Sequence, residues 1–487
     1  MDILDFLAKQ LPKLQKPVAA CFKGMAKLKP PPPLPDGIWD AQREPGPHFT
    51  VGFGRAAFTP NDVNEKTYWL AGYGSNRPAQ SVHSDLYASA VYIDDNTGRG
   101  ALLLLSLDCV GLLREDVLVI RRRLEGFCRR TGCRAVNVCA THCHAGPDTM
   151  GLWGRFPASG RDKAFMESLS WAACAAAEKA YKNRGDGKLY AGSAEADGIQ
   201  KDICEPEVFC KTLTRLRFVP EDGSRETWLL NFAAHPEVMD QRNRAVGADY
   251  VHFLRQKLEG ERNARVIYFN GAIGGMITPI ESDPADFMAS CQWAGEQIAE
   301  AAMGIGEERA LVPLVNTIRQ EFYAELANGM FCLAGLVGLM PGERIASGKG
   351  PLGLSVKTEL NYIEIGGCDA VHILMVPGEL FPELQIGGYL SEEEAAAGGP
   401  ERNPLPLREI AGDPDLIVFG LGNDELGYIV PPNDYLLHPE RPFAAQPCDQ
   451  HGRKHYEETN SVGPAMAAGV AEAFERILKI IRREQTA

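Results

Sequence analysis

The segment RAVNVCATHCHAGPDT, Arg134–Thr149, decides how the rest of the chain is read. Small and β-branched residues run up to Thr141 in the manner of a strand, and Gly146 and Pro147 then bring any ladder to an end. Between them stand His142 and His144. Side chains two apart in a strand share a face, so both imidazoles are expected to project together from a strand's carboxyl end, where α/β proteins gather ligands. Such a pair suits a metal ligand beside a general acid or base. In isolation, the same two residues also read as polar caps of a loop.

Outward from this segment the chain alternates apolar β-type runs with helical ones. ALLLLSLDCVGLL (Ala101–Leu113) leads into REDVLVIRRRLEGFCRRTG, the His segment precedes an alanine-rich stretch at Ser168–Lys182, and RVIYFNGA follows a helix expected over 250–259. GPAMAAGVAEAFERILKIIRRE closes the chain as a helix. The alternation predicts an α/β architecture, and no 20–50-residue period points to a repeat fold. Residues 1–47 differ: a short amphipathic pattern enters LKPPPPLPDG, a proline-rich, semi-rigid spacer. They read as an arm able to dock on its own chain or on a neighbouring copy in a homo-oligomer, with residues 48–487 as the main domain.

Charge and cysteine content narrow the partners. With 64 acidic against 50 basic side chains, the net charge of −14 repels nucleic acid and anionic lipid surfaces. Thirteen cysteines, scattered and without a CxxC pair, fit reduced thiols in the cytoplasm. The opening MDILDFLAKQLPKLQK lacks the apolar core of a signal peptide. The longest apolar run, Met330–Met340, is half the roughly 20 residues that a membrane span needs. It is read as a buried segment or as the wall of an apolar pocket.

Three further stretches repeat the design of an apolar run delivering a polar side chain to a turn. They are LLNFAAHPEVMD with His235, VHILMVPGELFPEL with Glu379 at the start of an expected helix, and FGLGNDELGYIVP with Tyr428. Taken singly, Glu379 reads as a helix-start charge and Tyr428 as a packing aromatic.

Taken in order, VGFGRAAFTP, AGYGSNRPAQSVHSDLYASAVYIDD, LLLSLDCVGL, CATHCHAGPDT, NFAAHPEVM, VPGEL, GLGNDELGYIV and HYEETNSVGP resemble the neutral non-lysosomal ceramidases and their bacterial homologues. The resemblance runs from Phe49 to the end of the chain. It implies a mixed-sheet α/β catalytic domain with flanking helices, and one zinc ion per chain held by His142, His235, Glu379 and Tyr428. It also implies hydrolysis of a non-peptide amide by metal-bound hydroxide. His144 would then shuttle a proton to the leaving amine, and Tyr456 of HYEETNS would hold the reacting carbonyl. Nitrogen and oxygen donors of this kind suit zinc, with iron or manganese as alternatives.

Two departures from the family pattern matter. Its catalytic serine turn, of GDVSP type, is replaced by NGAIGGMITP, with Thr278 nearest the serine and Gly275 nearest the aspartate. Either Thr278 supplies the nucleophile or water does, with Thr278 a turn cap. The immunoglobulin-like domain that follows in the ceramidases is not expected here. The substrate is therefore expected to be a soluble N-acyl small molecule, with an ester or lactone, or mere ligand binding, as the alternatives. Asp108 is a candidate to orient a ligand histidine or to form a turn, and His83 to line the pocket or to serve structure. His48, His252, His372 and His438 are taken as structural. Cys448, His451 and His455 form a rival metal set that Gly452 disfavours on a helix.

Overall fold

The computed structural model describes residues 36–40, 44–155, 158–336, 338, 340, 342, 344–347 and 349–486. Twelve longer strands carry the fold: β1 (Phe49–Ala57), β2 (Tyr87–Asp94), β3 (Ala101–Leu107), β4 (Cys133–Ala140), β5 (Gly185–Glu195), β6 (Thr212–Pro220), β7 (Glu226–Phe232), β8 (Ala264–Asn270), β9 (Val315–Leu326), β10 (Leu354–Ile365), β11 (Val371–Met375) and β12 (Ile417–Phe419). The first eight form one mixed sheet in the order β8-β7-β6-β5-β1-β2-β3-β4. The last four form a second, β9-β10-β11-β12. Within the sheets, β3 with β4, β7 with β8 and β11 with β12 are parallel. The other neighbours are antiparallel.

The two sheets pack face to face. Val51, Val91 and Leu104 of the first meet Ile363, Ile373 and Phe419 of the second in one apolar layer, where Phe269 stacks on Phe419 with ring centroids 4.4 Å apart. Their outer faces are covered by helices. On the first sheet these are α1 (Arg114–Arg123), α2 (Lys163–Lys182), α3 (Tyr250–Glu261) and α4 (Phe287–Gly304), and on the second α5 (Met466–Thr486). Burial on both faces explains why β3 and β8 read as near-continuous apolar runs rather than alternating ones.

Asp162 caps α2, its carboxylate accepting the Phe165 N–H at 2.9 Å. The alanine-rich face of α2 lies directly on β1 because Gly52 and Gly54 have no side chains there. A Cβ at Gly54 would stand 2.0 Å from the Ala176 carbonyl oxygen. Gly54→Val is expected to cost about 3 kcal/mol, the upper end for overpacking, read as a lower denaturant midpoint at unchanged slope.

Part of the expected arm is placed: Asp36–Ile38 pairs antiparallel with β9, Gly37 opposite Ile318, and Trp39 stacks on Tyr362. Residues 1–35 and 41–43 lie outside the described residues. The described cysteines are free thiols. No described helix is long and apolar enough to cross a membrane.

Candidate metal centre

The polar residues at the centre of the site lie in loops that follow strands: His142 and His144 follow β4, His235 β7, Glu379 β11 and Tyr428 β12, with Met276 after β8. The shared-face argument for the His pair does not hold. β4 stops at Ala140, and His142 turns the chain with a left-handed φ of 67°. The reason lies in the partner strand: β3 ends at Leu107, and the loop is then held by loops instead. Thr141 N–H donates to Leu107 O, Cys143 N–H to Cys109 O and His144 N–H to Pro236 O, at 2.9, 3.1 and 3.0 Å. The turn still brings the imidazoles together, with Nε2 of His144 3.1 Å from Nε2 of His142.

His142 and His235 are each locked by a backbone carbonyl. Nδ1 of His142 donates to Val110 O at 2.6 Å and Nδ1 of His235 to Ile277 O at 2.8 Å. A ring so anchored presents its Nε2 forwards. Both Nε2 atoms face one oxygen: Glu379 Oε2 lies 3.3 Å from Nε2 of His142 and 3.1 Å from Nε2 of His235. Glu379 is buried, in a two-residue ladder that sets it opposite Tyr428, and so is not the exposed helix-start charge of the sequence reading. Its carboxyl is held below the usual range: burial pushes the other way, and the two imidazoles outweigh it. Burial works against protonation of His235 too, but Glu379 and Glu237 raise it. Two imidazole nitrogens converging on one carboxylate oxygen in a dry site suit a cation held between them, a proton or a metal ion.

The separations fit a small ion. Donors bonded to tetrahedral zinc at about 2.0–2.1 Å stand about 3.3–3.4 Å apart, close to the spacings above. One ring nitrogen from each of His142, His144 and His235 lies within 4.8 Å of the other two, a buried group able to hold a metal ion. Imidazoles whose far N–H rests on a carbonyl are the usual metal-binding arrangement. His144 differs: its Nδ1 has no hydrogen bond, with Glu237 Oε2 at 3.5 Å and the Tyr73 ring edge-on. Burial, then His142 and His235, hold it well below the ordinary histidine value. Tyr428 hydroxyl lies 3.1 Å from Met276 Sδ, and Tyr456, whose ring is 6.1 Å from that of Tyr428, stands more exposed at the rim. Both tyrosines line the cleft over the histidines, as do Phe331 and Met340 of the apolar run.

Thr278 is in a short ladder, opposite Lys201, and does not line that cleft; Met276 of the same turn reaches Tyr428 instead. Asp108 does not orient a ligand. Its two oxygens take Arg255 at 2.6 and 2.8 Å and the Tyr87 N–H, a stronger charge partner than any imidazole. His83 packs against His252 and Phe253 away from the cleft. Cys448 and His451 are exposed and His455 buried, so that trio does not converge. His455 instead groups with Asp434 and Asp449, whose carboxylates Arg453 already neutralises. Sequence reasoning missed Glu237 and Glu425, although both stand inside the stretches it singled out. It also missed Tyr73, Val110 O and Ile277 O.

No family model matches the sequence. Among solved structures, the chain is similar to neutral ceramidase from Pseudomonas aeruginosa, at 16% identity and a TM-score of 0.66 over 91% of this chain and 75% of that one. A ceramidase complexed with C2 matches at 15% identity and TM-score 0.66, over 90% of this chain and 75% of that one. With its mixed sheets and covering helices, and a match over 91% of its length, the chain has the neutral ceramidase fold.

Proposed function

We propose that the protein is a cytoplasmic, zinc-dependent amidohydrolase that cleaves the carbon–nitrogen bond of a soluble N-acyl substrate. The observation that carries this reading is the convergence of two carbonyl-anchored imidazoles on one buried carboxylate oxygen. In it, His142, His235, Glu379 and Tyr428 hold the ion. Zinc in such a site polarises a carbonyl and acidifies water.

The chain's own residues do the rest. His144, without a carbonyl anchor and kept neutral by burial, accepts a proton from the attacking water and returns it to the leaving amine. Tyr456, at the cleft rim, hydrogen-bonds the reacting carbonyl oxygen. Phe331 and Met340 receive the apolar acyl group. Thr278, set apart in its ladder, is not the nucleophile, and Thr278→Val is expected to keep the wild-type rate. The acidic chain and its free thiols support a cytoplasmic small-molecule enzyme.

The division of labour between adjacent histidines is testable. His142→Ala is expected to lose bound zinc. His144→Ala is expected to keep it while losing about 10²–10⁴-fold in kcat, the range for a removed acid–base group. Metal content by elemental analysis and turnover of N-dodecanoyl amides check this together. Equal zinc loss in both variants would make His144 a ligand.

A further inference from the structure

Glu425 stands three residues before Tyr428, in the loop after β12, and is only 5% exposed. One carboxyl oxygen, Oε1, accepts the Gly427 N–H at 2.8 Å. The other, Oε2, is buried without a hydrogen-bond partner. The residue lines the same cleft as His142, Glu379 and Tyr456. Its place there depends on Gly111, where a Cβ would lie 2.7 Å from Glu425 Cγ and 3.2 Å from Met150 Sδ. A loop that makes room for a carboxyl, and then leaves half of it unpaired, is unfavourable by itself. That disadvantage disappears when a ligand supplies the partner.

The surroundings indicate what the partner is. Val110, Met150, Leu152, Phe331, Met340 and Leu426 give this cleft an apolar side, suited to an acyl chain that carries no hydrogen-bonding group. No lysine or arginine is among the described residues lining this cleft, and Arg114 and Lys357 of the adjoining cavity, which also borders Glu425, are paired with Glu321, so an anionic substituent would find no free counter-charge.

We propose that Glu425 sets substrate specificity by taking, on its free Oε2, a hydroxyl or amino group borne by the amine half of the substrate. This rests on the amidohydrolase reading above. A site built around such a bond rejects the analogue that lacks it far more strongly than a missing methylene would explain.

The test uses the zinc-loaded full chain and three probes of equal length: N-(3-hydroxypropyl)dodecanamide, N-(3-aminopropyl)dodecanamide and N-butyldodecanamide. Wild type is expected to favour at least one of the first two over the butyl amide by about tenfold or more in kcat/KM. Glu425→Leu is expected to erase that ratio, with zinc content unchanged. Glu425→Gln, nearly isosteric and the variant to use should the leucine form fail to fold, distinguishes the two groups: it keeps a preference for the hydroxyl and loses one for the ammonium. A wild-type ratio near one, or a ratio that survives in both variants, overturns the specificity role and leaves the hydrolase reading standing. No turnover of any probe by zinc-loaded wild type overturns the hydrolase reading itself.

Discussion

Glu379→Ala is expected to lose its zinc and, with it, at least about 10³-fold in kcat/KM, since a metal contributes several kcal/mol of charge stabilisation to such a reaction. Glu379 Oε2 is the single atom that both anchored imidazoles face, and without it the proposed ligand set of His142, His235 and Tyr428 carries no carboxylate. A second readout is independent of turnover. Zinc at about 1,000 times its dissociation constant stabilises a folded protein by about 4 kcal/mol, so adding it to metal-stripped wild type should raise the thermal midpoint. In Glu379→Ala the same addition should leave the midpoint where it was. An undiminished shift would mean that the ion sits elsewhere.

Asp108→Ala is the second large effect, and it is one of stability. Asp108 is fully buried against Arg255 in a two-bond pair, 2.6 and 2.8 Å long, linking the end of β3 to α3. Removing one partner leaves a charge buried with no counter-ion, at a cost of about 3–5 kcal/mol. Denaturant unfolding checks this. Replacing both residues together, by leucine and methionine, should recover most of the loss, because the penalty belongs to the orphaned charge. Breaking the exposed Arg130–Glu178 pair, by contrast, should not move the midpoint measurably. The segment after Asp108 carries the Val110 carbonyl that anchors His142 and the Gly111 gap that admits Glu425, so this pair also positions the site.

That His142, His235, Glu379 and Tyr428 come together was legible in the sequence for a simple reason. Each follows an apolar run that ends in a glycine or proline turn, and the parallel pairs of this fold aim the carboxyl ends of those runs at one place. What was not legible depends on distant partners. Asp108 looked like a support for an imidazole because nothing in LSLDCVGL announces Arg255, 147 residues on. The carbonyls of Val110 and Ile277 have no side-chain signature at all. Glu237 and Glu425 were in view, but a glutamate in a turn reads as solvated until the fold closes over it. The shared face predicted for His142 and His144 failed locally, because a strand lasts only as long as its neighbour. The strand-then-helix alternation, similarly, does not reveal that most sheet neighbours are antiparallel, since period and length carry no information about partners.

Elemental analysis tests the metal centre most directly, on protein purified without added metal or chelator and set beside His235→Ala, whose Nε2 faces Glu379 Oε2 at 3.1 Å. The expected result is close to one zinc per wild-type chain and almost none in the variant. Wild type that carries no transition metal and takes none up on dialysis against zinc would contradict the account, and would leave the ceramidase fold without a metal-dependent chemistry.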